Sequence, residues 1–303
     1  MIIQKKAHAK INLYLKILNK RPDGYHDIFT VMQKISLCDD ITIDINPGAG
    51  QNIKIACNDK NIPTDRTNTV YKAIELFFSR ANIRADFDIN IEIDKKIPAQ
   101  SGLGGGSSDA ASVLLGLNEY YDFILSEKDL IGIAAKVGAD VPFFVKNTSC
   151  AICEGIGEIV TPVALKSIKS INLSRLHVVI LKPVFNVSTK QAFEDFDKYI
   201  AKYNHNFDNL DNFDTVDKNI ISEIINCGNV TDIFNDFFAL ACLQDKNAKE
   251  YSNYFTGVLA HGLSGSGSAL FGVFTCPEKA QKCKNEINQR NDIEFCDIFD
   301  FMC

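Results

Sequence analysis

The segment from Pro98 to Ala110, which reads PAQSGLGGGSSDA, carries residue types that bind phosphate groups. Four glycines fall within five residues, and Ser107 and Ser108 follow them. Glycines permit positive φ angles and a close approach of the backbone to a ligand, and free N–H groups at a helix N-terminus attract anions. The pattern therefore predicts a phosphate-binding loop, in preference to a flexible loop in which a serine caps the helix.

Glycine-rich nucleotide motifs of other classes fit this segment poorly. A Walker loop requires a Gly-Lys-Ser/Thr sequence, and the segment contains no lysine. The dinucleotide fingerprint G-x-G-x-x-G fails when it starts at Gly102, because Ser107 replaces the third glycine. The H-R-D and D-F-G motifs of protein kinases are also missing from the sequence. These observations disfavour a P-loop protein, a dehydrogenase and a protein kinase.

Residues 5–17 alternate between apolar and polar side chains, which predicts a strand with one buried face. Lys10 and Asn12 share the polar face, about 7 Å apart along the strand. A lysine in such a place is typically solvated, and an aspartate such as Asp140, within VGADVP, typically caps a turn. The sequence RPDGYH at 21–26 predicts a turn, whose ordinary role would be to pack on the sheet.

The spacing of apolar residues predicts the elements that position these groups. Helical spacing runs from Val70 to Phe78 and from Ala110 to Leu117, whereas residues 87–93 alternate. The order strand, glycine-rich loop, helix therefore places the loop at a helix N-terminus. Further strands are predicted at 41–45, 53–55, Leu176–Lys182 and Leu270–Phe274, residues 190–250 are mostly helical in pattern with polar breaks near 204–218, and a domain boundary is expected between 150 and 170.

Composition narrows the class of protein. The chain has 303 residues, 46% of them hydrophobic, and a net charge of −6. An acidic chain without a basic cluster argues against a nucleic-acid partner. No apolar stretch approaches the roughly 18 residues that span a bilayer, so we expect a cytoplasmic protein without a membrane partner. Ten cysteines include one C-x-x-C pair, Cys150 and Cys153, in an apolar, strand-like context that favours structural thiols in a reducing compartment.

The glycine-rich segment resembles the pattern P-x-x-x-G-L-G-[GS]-[GS]-S-S-[ADN]-A of the GHMP kinase superfamily. Five further segments resemble one member group of that superfamily: AKINL (9–13), RPDGYH (21–26), VMQKISLCD (31–39), GADVPFF (138–144) and LSGSGSALF (263–271). The resemblance implies an α/β (α+β, two-domain) fold. An N-terminal half resembling ribosomal protein S5, residues 1–160, would bind ATP, and a ferredoxin-like C-terminal half, residues 161–303, would bind the substrate.

The same resemblance implies a reaction and its residues. ATP, with Mg²⁺, would phosphorylate the 2-hydroxyl of a small molecule, cytidine-diphosphate-linked methylerythritol; metal ligands and oligomeric state stay undefined. Lys10 and Asp140 would form the catalytic pair, with Asp140 accepting the hydroxyl proton. The ATP-binding residues would be Pro98, Ala99, Gln100, Ser101, Gly102, Leu103, Gly104, Gly105, Gly106, Ser107 and Ser108, together with Asn68 at the adenine. The substrate-binding residues would be Asn12, Tyr25, His26, Phe185, Gly265, Ser266 and Gly267, with Tyr25, His26 and Phe185 around the cytosine ring.

The chain departs from the family at 235–238, where it reads NDFF and the family often has N-D-[LF]-E. That glutamate therefore has no counterpart here. The Asn- and Asp-rich stretch at 204–218 has the character of a variable insertion. Two alternatives remain open: another kinase of the superfamily, such as a homoserine or mevalonate kinase, and a non-catalytic nucleotide-binding protein. The triple glycine and the DGYH turn disfavour the first, and the presence of both Lys10 and Asp140 disfavours the second.

Overall fold

The computed structural model describes residues 2–47, 52–83, 87–203, 222–224, 226, 228–230, 233–244 and 246–303. The predicted insertion at 204–218 lies outside the described residues. The strands are β1 (Ile2–Lys20), β2 (His26–Pro47), β3 (Asn52–Cys57), β4 (Phe87–Asp94), β5 (Cys150–Glu154), β6 (Ile159–Pro162), β7 (Ser167–Ile168), β8 (Ile171–Asn172), β9 (His177–Pro183), β10 (Asn229–Val230), β11 (Phe234–Asn235), β12 (Ala260–Leu263), β13 (Leu270–Phe274) and β14 (Ile293–Asp300). The helices are α1 (Thr69–Ala81), α2 (Gly105–Tyr120), α3 (Glu127–Val137), α4 (Val141–Val145), α5 (Thr189–Tyr203), α6 (Asp236–Gln244), α7 (Lys246–Ser252) and α8 (Pro277–Ile287).

The largest sheet is built on the long antiparallel strands β1 and β2. Its strand order is β11–β1–β2–β4–β3, and β5 and β6 extend it from β2. The predicted strand at 5–17 is confirmed as part of β1, but the predicted exposed face is wrong for Ala9 to Ile17, where every residue is buried. Strands β9 and β13 of a second sheet pack on the apolar residues at 9–13. Two loops, at 101–104 and 264–269, contact the polar residues of the same stretch.

Helices α1 to α4 cover the face of this sheet that carries the isoleucines of β2, β3 and β4. The predicted helix from Val70 is confirmed, and Asn68 sets its start because its side-chain oxygen accepts the N–H of Val70 at 2.8 Å. The predicted order of strand, glycine-rich loop and helix is confirmed as β4, residues 95–104 and α2. Helix α2 is buried along most of its length, so its N-terminus is held firmly at the end of β4.

The second sheet is antiparallel, in the order β12–β13–β9–β14. The predicted strands at 176–182 and 270–274 are confirmed as β9 and β13. Alternate residues of β9 point to opposite layers: Val178 and Ile180 pack with the first sheet, whereas Val179 and Leu181 pack with residues of α5, α6 and α8. A small third sheet joins β10, β7 and β8.

Within the described residues, no helix is both long enough and apolar enough to cross a membrane. Cys150 and Cys153 are buried, free thiols on β5. Burial raises the pKa of Cys150 to about 12, which makes it a poor nucleophile. The pair therefore behaves as the structural thiols that the sequence predicted.

Candidate active site

Two glycine-rich turns, residues 101–104 and 264–269, are hydrogen-bonded to each other. The hydroxyl of Ser264 donates to the carbonyl of Gly102 at 2.9 Å, and the N–H of Ala269 donates to the carbonyl of Ser101 at 3.0 Å. Gly102 has a φ of +76°, and a Cβ atom there would lie 2.0 Å from the carbonyl oxygen of Ser264. The contact between the turns therefore requires glycine at this position.

The first turn leads directly into α2 and leaves backbone donors free at the start of that helix. Gly104 is the N-cap, with a φ of +75°, and no side chain caps the helix, so the alternative of a serine cap does not hold. The N–H of Ser108 donates to Gly104 at 2.9 Å. In the described part of the chain the amides of residues 105–107 have no acceptor, and all three residues line a cleft. Such free amides at a positive helix end suit a phosphate group.

Strand β1 brings Lys10 to this loop. The N–H of Lys10 donates to the carbonyl of Leu103 at 2.9 Å, and its Nζ donates to Oδ1 of Asn12 at 2.6 Å. The same Nζ lies 3.6 Å from Oδ2 of Asp140, and the two side chains are 3% and 30% exposed. The predicted catalytic pair is thus side by side at the loop, with the amine buried and the carboxylate open to the cleft.

Asn12 is the common partner of these groups. Its Oδ1 also accepts the N–H of Gly265 at 2.8 Å, and its Nδ2 donates to Oγ1 of Thr30 at 2.7 Å. The Thr30 hydroxyl in turn donates to the carbonyl of Tyr14 at 2.6 Å. Both oxygen lone pairs of Asn12 are therefore occupied, and one Nδ2 hydrogen is left over from these bonds.

Helix α4 positions Asp140. The residue is the N-cap of this short helix, but its carboxylate does not bond to the helix amides. Phe144 of the same helix packs beneath the loop, since a Cβ atom on Gly104 would lie 2.9 Å from its ring. The helix therefore fixes both the carboxylate and the wall behind the glycines.

Three buried charges that the sequence analysis missed lie beneath the loop. Nζ of Lys95 donates to Asp39 at 2.5 Å and to Asp109 at 2.9 Å, and all three side chains are nearly inaccessible to solvent. Burial raises the pKa of Asp109 to about 7, with Lys95 opposing this rise and Asp39 adding to it. Oδ1 of Asp109 is buried without a partner in the described structure. The sequence could have indicated this cluster, because both aspartates lie within the motif segments and the lysine lies three residues before Pro98.

The opposite end of the cleft is aromatic. His26 is buried, its Nε2 lies 2.8 Å from Oδ1 of Asp197, and its ring stacks on Phe193 with centroids 4.8 Å apart. Tyr25 is 61% exposed and lines the same cleft. Phe185 does not line it, contrary to expectation, and packs toward Tyr251 instead.

Phe193, which was not among the expected residues, lines this aromatic end of the cleft and stacks on His26. Helix α5 begins after the turn that follows β9 and returns along the cleft, so its residues Phe193 and Asp197 face His26. The sequence signal was their separation by one helical turn within a segment of helical pattern. Phe185, in contrast, offers its backbone carbonyl to the Ser268 hydroxyl at 2.8 Å.

Asn68 lines the cleft, but its amide is engaged in the protein. Its Oδ1 accepts the N–H of Val70, and its Nδ2 donates to the carbonyl of Pro63 at 2.6 Å. The side chain is 6% exposed. These bonds give Asn68 a capping role at the start of α1.

A cleft of about 1460 Å³ joins the two ends. The expected site residues that line it are Lys10, Asn12, Tyr25, His26, Asn68, Pro98, Ala99, Gln100, Ser101, Gly102, Gly104, Gly105, Gly106, Ser107, Asp140, Gly265 and Ser266. Those that do not line it are Leu103, Ser108, Phe185 and Gly267.

The NDFF departure lies behind the second turn. Nδ2 of Asn235 donates to the carbonyls of Leu263 and Gly265 at 2.8 and 2.9 Å. Oδ2 of Asp236 accepts the N–H of Ile17 at 2.7 Å. Phe238, where the family often has glutamate, meets the ring of His261 edge-on. The first two residues of the motif therefore hold the turn and β1, and the last is an aromatic contact.

Residues 68–148 match the family model described as the GHMP kinases N terminal domain, which defines the class as a GHMP-type kinase. The chain is 36% identical over 294 residues to the 4-diphosphocytidyl-2-C-methyl-D-erythritol kinase of Clostridium botulinum (strain Alaska E43 / Type E3), covering 97% of each chain. It is 38% identical over 270 residues to the enzyme of that name from Caldicellulosiruptor bescii, covering 89% of this chain and 88% of the relative.

A solved structure agrees with these sequence relatives. A crystal structure of 4-(cytidine 5'-diphospho)-2C-methyl-D-erythritol kinase matches with a TM-score of 0.72 at 26% identity, over 98% of this chain and 99% of that chain. The chain belongs to the 4-diphosphocytidyl-2-C-methyl-D-erythritol kinase family. It is an ATP-dependent small-molecule kinase with the GHMP kinase fold.

The contact between the glycine turns can be tested with Gly102→Ala. A methyl group there would lie within 2.0 Å of the Ser264 carbonyl, at a φ that L residues rarely adopt, so the turns must separate. We expect ATP affinity to fall at least tenfold, as measured by calorimetry with a non-hydrolysable ATP analogue. Gly132→Ala, in helix α3 with nothing within 4 Å of the new Cβ, is the matched control and should bind normally. Equal ATP affinity for the two variants would contradict the assignment.

The buried charges predict a pH dependence of stability. Because the folded-state pKa of Asp109 is about 7, above the roughly 3.9 of an unfolded chain, the folded protein holds an extra proton between these values. This group therefore lowers the free energy of unfolding as pH rises through that window. Asp109→Asn should not show this decrease. The difference in unfolding free energy, variant minus natural protein, should therefore increase by about 1–2 kcal/mol as pH rises from 5.5 to 8.

Urea unfolding at several pH values measures this difference. Asp88→Asn, a change of the same type on β4 outside the cleft, is the control for replacing an aspartate with asparagine. A flat difference for Asp109→Asn would show that the carboxyl is not held protonated.

Proposed function

We propose that this kinase transfers the γ-phosphoryl group of ATP to the 2-hydroxyl of 4-diphosphocytidyl-2-C-methyl-D-erythritol, giving the 2-phosphate and ADP. The observation that carries the proposal is the cluster of Lys10, Asn12 and Asp140 between the two glycine turns. The names of the full-length relatives support the choice of substrate.

The triphosphate lies on the free amides of residues 105–107, at the N-terminus of α2. Lys10 reaches its terminal phosphoryl group from β1, where the buried ammonium is already oriented by Asn12. Phosphoryl transfer has a loose transition state, so fixed positive groups around the transferred phosphoryl oxygens stabilise it. The positioning of amides and amine on rigid elements is the main contribution of this side of the cleft.

Asp140 accepts the proton of the attacking hydroxyl. The hydroxyl oxygen forms a bond to the γ-phosphorus, the bond from that phosphorus to the bridging oxygen of ADP breaks, and the proton passes to the carboxylate. A carboxylate is a weak base toward an alcohol, so proton transfer comes late, and orientation of the hydroxyl contributes much of the effect. Lys10, 3.6 Å from Oδ2 of Asp140, stabilises the ionised form.

The donor set fits Mg²⁺ bound through the nucleotide. In the described residues no group of three or more acidic, histidine or cysteine side chains could hold a metal alone. Mg²⁺ in kinases is typically held by one or two carboxylates together with phosphate oxygens and water. Phosphate oxygens of ATP and water would supply most of its ligands here, and the ion would neutralise phosphate charge.

The cytidine group occupies the aromatic end. Tyr25 supplies a π-face for the cytosine ring, and His26, backed by the ring of Phe193, supplies a polar edge. Between the two ends, Ser266 and Thr189 approach each other at 3.1 Å and line the cleft, so they suit the ribose or diphosphate of the substrate. The methylerythritol end then reaches Asn12 and Asp140.

The halves of the chain divide this work. Residues 1–160 carry the glycine-rich loop and the catalytic pair, and we assign them to ATP binding. Residues 161–303 carry α5 and the second glycine turn, and we assign them to substrate binding. Tyr25 and His26 come from the first half, so the base site draws on both.

A substrate panel tests the proposal. Purified protein with ATP and Mg²⁺ should phosphorylate the cytidine-diphosphate-linked methylerythritol, with ADP release in a coupled assay, and should not act on mevalonate or homoserine. Preference for either of the latter would reassign the enzyme within its superfamily. No phosphorylated product from any of the three would reject the proposed reaction.

Asp140→Asn tests the base. The amide keeps the shape of the carboxylate but cannot take the proton, so we expect kcat to fall by about 10²–10⁴-fold with KM values for both substrates within a few-fold. Steady-state kinetics measures both. The matched control is Asp88→Asn, which should retain the natural kcat. Normal turnover by Asp140→Asn would show that another group takes the proton.

A further inference from the structure

The imidazole of His26 is held by two residues of helix α5. Phe193 covers one face of the ring, and Oδ1 of Asp197, one helical turn later, lies at hydrogen-bonding distance from Nε2, at 2.8 Å. The second carboxylate oxygen of Asp197 accepts a bond from Nζ of Lys20 at 2.6 Å. His26 is 5% exposed, so the ring has little freedom to turn.

The charge of Asp197 decides which ring nitrogen carries the hydrogen. Burial acts to raise the pKa of Asp197, but the bonds from Lys20 and His26 outweigh it, and its pKa lies below the usual value. An ionised carboxylate can only accept hydrogen bonds. Nε2 of His26 must therefore carry a hydrogen, and in the neutral ring Nδ1 presents a lone pair.

The Nδ1 lone pair is available to a ligand in the cleft. His26 lines the cleft, and within the described residues no hydrogen bond to its Nδ1 is formed. An acceptor at this point recognises a donor on the ligand. Cytosine carries an amino group at position 4, whereas uracil carries a carbonyl oxygen there, which would face the lone pair of Nδ1 without a hydrogen between them.

We propose that Asp197 is a positioning residue that sets the tautomer of His26 and thereby makes this kinase select a 4-amino pyrimidine over a 4-keto pyrimidine. The inference rests on the proposed function, because it assumes that a pyrimidine binds at this end of the cleft. A site that hydrogen-bonds a substrate group rejects analogues lacking that group far more strongly than a merely apolar pocket does. Asp197 itself does not touch the base.

Asp197→Asn tests the proposal by reversing the tautomer. Lys20 can only donate, so the oxygen of the introduced amide turns toward Lys20 and its NH₂ group turns toward His26. Nε2 must then accept, and the hydrogen moves to Nδ1. We expect the ratio of kcat/KM for the cytidine-linked over the uridine-linked substrate to fall at least tenfold. A loss of packing alone would lower both values together and leave the ratio unchanged.

A double variant provides the rescue. In Lys20→Met with Asp197→Asn the amide oxygen is released from Lys20 and can turn back to Nε2, which restores the original tautomer. The ratio should recover toward the natural value. Lys20→Met alone keeps the carboxylate on Nε2 and should keep the preference, even if overall activity falls.

The matched control lies on the same helix. Asp195 bonds to Lys198 and Gln191 on the surface of α5 and is not part of the cleft, so Asp195→Asn should leave activity and preference unchanged. Nitrogen-15 NMR of histidine-labelled protein reads the tautomer directly, with the His26 signal assigned from a His26→Gln sample.

The natural protein should show a hydrogen on Nε2 alone, and Asp197→Asn a hydrogen on Nδ1. Hydrogens on both nitrogens, or on Nδ1 alone, in the natural protein would overturn the proposal, even if the variant does not fold. An unchanged preference in Asp197→Asn would also overturn it. These failures differ from failure of the proposed function, in which the natural protein would phosphorylate neither pyrimidine-linked substrate.

Discussion

The side chain of Asn12 joins the parts of the active site that come from distant segments. One oxygen atom accepts from the ammonium of Lys10 and from the backbone of Gly265, and the amide nitrogen donates to Thr30 on the neighbouring strand. Because Asn12 is 1% exposed, these bonds form away from competing water. The position of the lysine, the second glycine turn and the paired strands β1 and β2 therefore depend on one another.

The phosphate loop likewise depends on both its glycines and the side chains packed beneath it. Its backbone bonds to β1 and to the second turn leave no room for a Cβ at Gly102. A Cβ at Gly104 would likewise be too close to the side chains of Phe144 and Lys10. Lys95 and its two carboxylates stand under the first turn of α2. Burial disfavours ionised carboxylates, and one lysine faces two of them, so Asp109 keeps its proton to a higher pH than an exposed aspartate does.

The base-recognition end is built on a different principle. There aromatic rings from the β1–β2 turn and from α5 define the surface, and Asp197 and Lys20 hold the polar edge of His26. A single helix supplies a stacking ring and a carboxylate at one-turn spacing, so both act on the same imidazole. The chemistry end is rigid because backbone hydrogen bonds fix it, whereas the base end depends on how α5 packs against the first sheet.

The sequence alone was sufficient for features that neighbouring residues determine. The glycine cluster, the helix that Asn68 caps and the strands at 176–182 and 270–274 follow from local periodicity and backbone preference, and the motif order indicated the family. Lys10 and Asp140 could be named from those motifs, and the structure brings them to 3.6 Å.

Only the tertiary structure decided the features that depend on distant packing. Residues 9–13 of β1 are buried on both faces because the second sheet covers the apolar residues and the two glycine turns cover Lys10 and Asn12, which no property of β1 itself reveals. Phe193 rather than Phe185 reaches His26 because α5 runs back along the cleft after the turn that follows Pro183. Lys95, Asp39 and Asp109 become one charge cluster because three separate elements converge, and electrostatic coupling follows distance in space rather than separation along the chain.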